Sequence, residues 1–231
     1  MAGPRVLGAD VAGRHGWVAV VLDAGGYVSA HVADTLAELV AQAEPLVAIG
    51  VDIPVGNLAW GGRDVDRAAR ALLGRRSSTI FTAPPAEVLE LATYDDANQA
   101  LVARGRPKLS KQSWALRHKM RDAASVAADD QRVYEVGPEL SFAAMNEGTP
   151  LADRKKSWAG ARRRLDLLRT EGIDIPAEVG AAGAVPTDDL LDAAAAAWTA
   201  RRIGRGVAER VPDLDDPERD PTTNRILAIH I

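Results

Sequence analysis

The first 33 residues constrain the fold more than any other part of the chain. "RVLGADVAG" and "HGWVAVVLDAGGYVSAHVAD" break into three apolar, β-branched runs separated by short turns, with Gly25-Gly26 as a hairpin signal. This predicts an antiparallel meander at the start of the domain. "TLAELVAQAEP" then places apolar residues at helical spacing, and "LVAIGVDIP" is an apolar run of the kind found in a buried strand, ending before Pro54. A β-β-β-α-β order follows.

Residues 63–74, 86–104 and 111–125 read as helices. With "RRSSTIFTAPP" they make a stretch of about 75 residues before the next strand, expected as a mainly helical insertion at about 57–130 within a single domain spanning 1–231. "RVYEV" is that next strand, and "GPELSFAAM" starts a short helix with Pro138 near its first position. Residues 158–171 form an Arg-rich helix, "GIDIPAEVGAAGAVP" a loop, and 188–204 the last helix.

At 231 residues and 47% hydrophobic, the chain is long enough to bury a sizeable core. Aromatics are only 4%, so that core is built from Ala, Val, Leu and Ile, and alanine-rich helices pack closely. The absence of cysteine excludes disulfides, zinc–thiolate sites and a cysteine nucleophile, and it suits a reducing compartment. A cytoplasmic location is the expectation. "MAGPRVLGADVAG" has no long apolar segment, and no stretch approaches 18 uninterrupted apolar residues, so neither secretion nor membrane spanning is indicated.

A net charge of −4 argues against a generally basic nucleic-acid binder, but the charge is unevenly spread. Residues 104–121 hold seven Lys/Arg and no acid, 154–164 hold six and no acid, and 209–220 hold six acids. The two basic segments read either as a groove for phosphates or as ordinary solvated helix faces. His15, His31, His118 and His230 show no metal-ligand spacing, and neither a P-loop nor a G-x-S-x-G elbow is present.

The acids of "TDDLLDAAAAAWTARR" ask for an explanation. Thr187 or Asp188 can cap the helix, and first-turn acids gain about 0.3–1 kcal/mol from its dipole. Asp192 lies beyond that turn and is i+3 from Asp189 and i+4 from Asp188, a mildly repulsive spacing. Asp10 ends the first strand and Asp52 interrupts an apolar run, where a carboxylate is costly unless paired, hydrogen-bonded or bound to metal. Each also has a plain structural use, Asp10 capping the following turn and Asp52 holding the turn through Pro54. If the two strands are neighbours, Asp10 and Asp52 emerge together, and a helix bearing Asp189 and Asp192 completes a cluster that needs cations. Hard oxygen ligands of this kind make a two-metal site for phosphodiester cleavage. Asp188 is then left as the cap, and the alanines let the helix lie close against the sheet.

In order, "GADVAGRHGWVAVVL", "VAIGVDIPVG", "SKQSWAL", "YEVGPELSFAAM" and "DDLLDAAAAAWTARR" resemble the DUF429 family of predicted ribonuclease H-like nucleases, over nearly the whole chain. The element order likewise resembles the ribonuclease H-like α/β fold: a mixed sheet, with a three-strand antiparallel meander plus parallel strands, flanked by helices. Its last helix is nearest the Holliday-junction resolvase type. The resemblance implies Asp10, Asp52, Asp189 and Asp192 as metal ligands for Mg²⁺ or Mn²⁺. It implies Glu135 as a further catalytic acid and Glu139 on the substrate side, from a motif that here reads "EVGPE" with Gly137 where the family usually has His. Ser110, Lys111 and Gln112 match the family's S-K-Q and, with Arg75, Ser78, Lys155 and Lys156, are expected to contact phosphate or sugar.

The function implied is metal-dependent hydrolysis of a nucleic-acid or nucleotide-like phosphodiester. A catalytically degenerate module that binds a ligand or partner is the alternative, favoured by Gly137 and the low positive charge. An actin-like phosphotransferase shares the opening hairpin but needs a second G-x-D-x-G half that this chain lacks.

Overall fold

The computed structural model describes residues 3–231. The three opening runs form strands β1 (Arg5–Val11), β2 (Trp17–Asp23) and β3 (Gly26–Ala33), paired antiparallel in turn. Helix α1 (Leu36–Ala43) follows behind a reciprocal cap, in which the Thr35 hydroxyl accepts from the Glu38 N–H and the Glu38 carboxylate accepts from the Thr35 N–H. Strand β4 (Leu46–Val51) then runs parallel to β1, and β5 (Val133–Glu135) parallel to β4. Among the described residues these make a mixed sheet of five strands, ordered β3-β2-β1-β4-β5.

Five helices fill the chain between β4 and β5: α2 (Asp64–Leu73), α3 (Ala86–Leu89), α4 (Tyr94–Ala103), α5 (Lys111–Ala115) and α6 (Arg117–Asp129). The predicted helix over 86–104 divides because Thr93, extended, accepts from the Asp96 N–H and starts α4 afresh. After β5 come α7 (Pro138–Met145), α8 (Trp158–Thr170) and α9 (Thr187–Gly204). A short antiparallel pair, β6 (Arg210–Val211) and β7 (Ile229–His230), was not anticipated, and a bridge from His230 to Val136 sets it beside the end of β5. Among the described residues no helix is long and apolar enough to cross a membrane.

Strand alternation sorts the core into two layers. Val6, Val18, Val20 and Ala48 face the side covered by α7, α8 and α9, while Leu7, Ala9, Val21, Ile49 and Val51 face α1 and α6. The first layer is thinnest under α9. Gly8 and Gly50 are register partners in β1 and β4, and the α9 main chain rests on both. A Cβ on Gly8 would lie 1.9 Å from the Ala197 nitrogen, and one on Gly50 2.6 Å from the Ala196 carbonyl oxygen. Ala193 to Ala197 are completely buried, so the expected close approach is present, and two glycines on the sheet side make it possible.

The far end of α9, at Gly204, meets Val6 and Val47 near the starts of β1 and β4. The helix therefore runs against those strands and brings its first turns to their C-terminal ends. The cap differs from the expectation: Pro186 occupies the N-cap position without a side-chain bond, and Thr187 and Asp188 lie inside the first turn. Asp188 is buried and turned toward two lysines instead of the free N–H groups.

Candidate metal centre

Asp10 stands two residues after Gly8, and Asp52 two residues after Gly50. Both therefore point to the face that the glycines open to α9. Asp52 lies just past the end of β4, where its N–H still donates to the Ala9 carbonyl at 2.9 Å. From above, Asp192 precedes the alanines packed on the glycines. Each of the three carboxylates offers an oxygen, and these oxygens all lie within 4.8 Å of one another. Asp189 lies outside this group, partly buried and nearer the start of the helix. Burial, and then the neighbouring Asp188, raise its pKa.

Three carboxylates withdrawn from water resist ionisation together. Burial, then Asp52 and Asp192, hold the Asp10 carboxyl well above its usual range. Asp52 is pushed up to about 8, by burial and then Asp192. Asp192 rises to about 6 through burial, against the pull of Lys155. The Lys155 ammonium sits 2.5 Å from Asp192 Oδ2. Burial works against its charge, but Asp192 outweighs it and holds Lys155 above its ordinary value. The other Asp192 oxygen, Oδ1, is buried with no hydrogen-bond partner among the described residues. An all-oxygen donor set with an unsatisfied buried acceptor fits a hard divalent cation.

A cavity of about 360 Å³ opens over the carboxylates. Its walls come from Ile53 and Pro54, the Glu135–Glu139 corner, Ser78–Phe81 and Gln112 of the inserted helical region, Ile229 of β7, and Lys155. Ser78 and Gln112 thus reach the site. Ser110 instead caps α5, accepting from the Ser113 N–H at 3.0 Å, and Lys111 beside it is exposed. Arg75 is exposed, and neither it nor Lys156, which lies 3.7 Å from Asp188, is part of the cavity wall.

Both acids of "EVGPE" stand in the wall, each held by an arginine. Arg63 grips Glu135 with two bonds of 2.7 Å, and the same guanidinium reaches Asp66 at 2.5 Å and the Gly56 carbonyl at 2.9 Å. Glu139 accepts from Arg164 at 2.6 Å, with Arg76 3.6 Å away. Gly137 is closely packed: a Cβ would lie 3.2 Å from Ile229 and 3.3 Å from Leu140, so these side chains would have to shift by a few tenths of an ångström to admit one.

Nothing in the sequence marked Phe81 or Ile229 as site residues, and little marked Arg63 or Arg164. Arg63 carried a faint signal, since Asp66 follows it at i+3. Arg164 was one of six cations in its run, with nothing to mark it as the buried one.

The fold and site define an α/β protein with a three-carboxylate centre at the C-terminal ends of parallel strands, roofed by an inserted helical region. The chain belongs to the family described as "Protein of unknown function (DUF429)", whose model matches residues 8–217. Comparison with curated proteins and with solved structures returned no match.

Proposed function

We propose that this chain is a metal-dependent phosphodiesterase on a ribonuclease H-like scaffold, with Asp10, Asp52 and Asp192 holding Mg²⁺ or Mn²⁺. The observation that carries the reading is the convergence of three carboxylates from three separate elements within 4.8 Å, one with a buried, unpartnered oxygen. Strand order and directions, with acids at the ends of β1 and β4 and on the last helix, support the scaffold assignment.

Such a cation polarises a phosphoryl oxygen and lowers the pKa of a bound water. The chain's own residues do the rest. Lys155 keeps Asp192 oriented and leaves a positive charge in the cavity wall, within reach of a phosphate. Ile53, Ile80, Phe81 and Ile229 give the cavity wall an apolar portion beside the carboxylates. In the overall reaction a water oxygen bonds to phosphorus, the ester P–O bond breaks, and the departing oxygen takes a proton.

The test is Mn²⁺ titration calorimetry paired with hydrolysis of bis(p-nitrophenyl) phosphate. Asp10→Asn and Asp192→Asn should each weaken Mn²⁺ binding by about ten-fold or more and abolish turnover, because carboxylate charge count sets affinity at hard-metal sites. Unchanged Mn²⁺ affinity in both variants overturns the metal centre. One observation favours a second reading, a module that binds without chemistry: Lys155 already supplies a cation to the cluster, and Glu135 and Glu139 are both engaged by arginines. Metal binding with no turnover on any phosphodiester would select it.

A further inference from the structure

Trp158 is the most exposed large apolar side chain among the described residues, at 80% of its accessible surface, and the backbone that carries it is braced. It begins α8 directly after Ser157, whose hydroxyl accepts from the Gly160 N–H at 3.0 Å and donates to the Arg154 carbonyl at 2.7 Å. The chain at Arg154 presses so closely on this turn that a Cβ on Gly160 would lie 2.0 Å from the Arg154 carbonyl oxygen. The indole therefore stands out from a braced turn.

Around it are cations. Lys156 is 77% exposed on its side chain, and the Arg162 guanidinium lies 6.0 Å from the indole ring. Arg154 and Arg163 are exposed on the same segment, which contains six Lys/Arg and no acid between 154 and 164. A groove runs from Trp158 past Lys156 toward the N-terminal turn of α9. Lys155 lines both this groove and the carboxylate cavity, and so stands where the two adjoin. The buried Asp188 beside the groove lies 3.8 Å from Lys155 and 3.7 Å from Lys156, while Lys155 is held by Asp192 at 2.5 Å.

From this juxtaposition we infer that the groove is a binding path for single-stranded nucleic acid, with a base stacked on Trp158 and the backbone running over Lys156 and Lys155 into the carboxylate cavity. A projecting aromatic among cations is the arrangement that binds single strands, because each unpaired base has a free π-face and each phosphate a charge. Duplex bases are stacked inside the helix and offer no face to an outside indole. This deepens the phosphodiesterase reading by naming its substrate class, and it rests on that reading only for what happens at the carboxylates.

The test is fluorescence anisotropy of a labelled 12-nucleotide single strand at low salt with Ca²⁺ present, beside a duplex of the same sequence. Trp158→Ala should weaken single-strand binding about ten-fold, as loss of one base–aromatic stack does, while Trp158→Phe retains most of it. Duplex binding should be weaker and indifferent to both changes. Mn²⁺ affinity and hydrolysis of bis(p-nitrophenyl) phosphate should not move in Trp158→Ala, so loss of catalysis in the proposed function and loss of this surface are told apart. The inference is overturned if the wild-type protein does not bind the single strand, if Trp158→Ala binds it as tightly as wild type, or if the duplex binds as well. A change of oligomeric state in Trp158→Ala, seen by size-exclusion chromatography, overturns it in favour of a protein contact.

Discussion

A guanidinium with almost no exposed surface needs fixed acceptors, and Arg63 finds them in Glu135, Asp66 and the Gly56 carbonyl. These bonds tie the loop after Asp52 to the end of β5 and so hold one carboxylate of the cluster from behind. Replacing Arg63 by Met leaves two buried carboxylates without their counter-ion. Arg63→Met is expected to cost about 3–5 kcal/mol in urea unfolding; a cost near zero would show that the network contributes no stability. Some of this scale was legible. Asp10 and Asp52 stood out because a carboxylate in an apolar run needs a partner. Asp189 and Asp192 were expected together, since residues three apart share a helix face; only the height at which α9 sits on the sheet decides that Asp192 is the one grouped with Asp10 and Asp52. The acidic run 209–220 likewise hid a structural member: Asp220 accepts from the N–H groups of Asn57, Thr222 and Thr223, anchoring the loop that leads to Arg63.

At the level of elements, the pair to watch is α9 on β1 and β4. Backbone faces backbone at Gly8, so neither side can give way to a methyl group. Gly8→Ala should therefore cost at least about 3 kcal/mol, a fall in Tm of roughly 6–12 °C, and should weaken Mn²⁺ binding with it. Gly62→Ala, where an added Cβ meets nothing within 4 Å, is the matched control and should change Tm little. Equal behaviour of the two variants would refute the close-contact account. The meander, α1, β4 and α9 were readable because each is long enough to show its period. By contrast, β6 and β7 have two residues each, too few for any alternation to register. The inserted helices were readable only as helical stretches; the family resemblance pointed to Ser78, but nothing in their pattern foretold that Thr79–Phe81 would line the cavity with it.

For the molecule as a whole, the acidic centre opposes folding when no cation is bound. The fold holds Asp52 at about 8 and Asp192 at about 6, both above the ordinary 3.8, so it favours their protonated forms. That contribution is fully present below about pH 4 and is lost as pH rises through 6 and 8. Metal-free protein should accordingly lose Tm between pH 5 and 8, with about 10 mM Mg²⁺ restoring most of the loss by favouring the charged forms. Asp52→Asn, which removes one of the repelling charges, should show a shallower decline and at pH 8 exceed metal-free wild type in stability. Parallel pH profiles for the two proteins would rule this out.

The contact of α9 with Gly8 and Gly50 also limits how such a protein can vary. Because main chain touches main chain there, the gap between the Asp192 turn and the two strand ends is a sum of atomic radii, which side-chain repacking cannot adjust. The carboxylate platform behaves as a gauge of constant width. Diversity in what the site accepts must then come from the parts that were added around it: the Ser78–Phe81 segment, the turn bearing Trp158, and the C-terminal strand that brings Ile229.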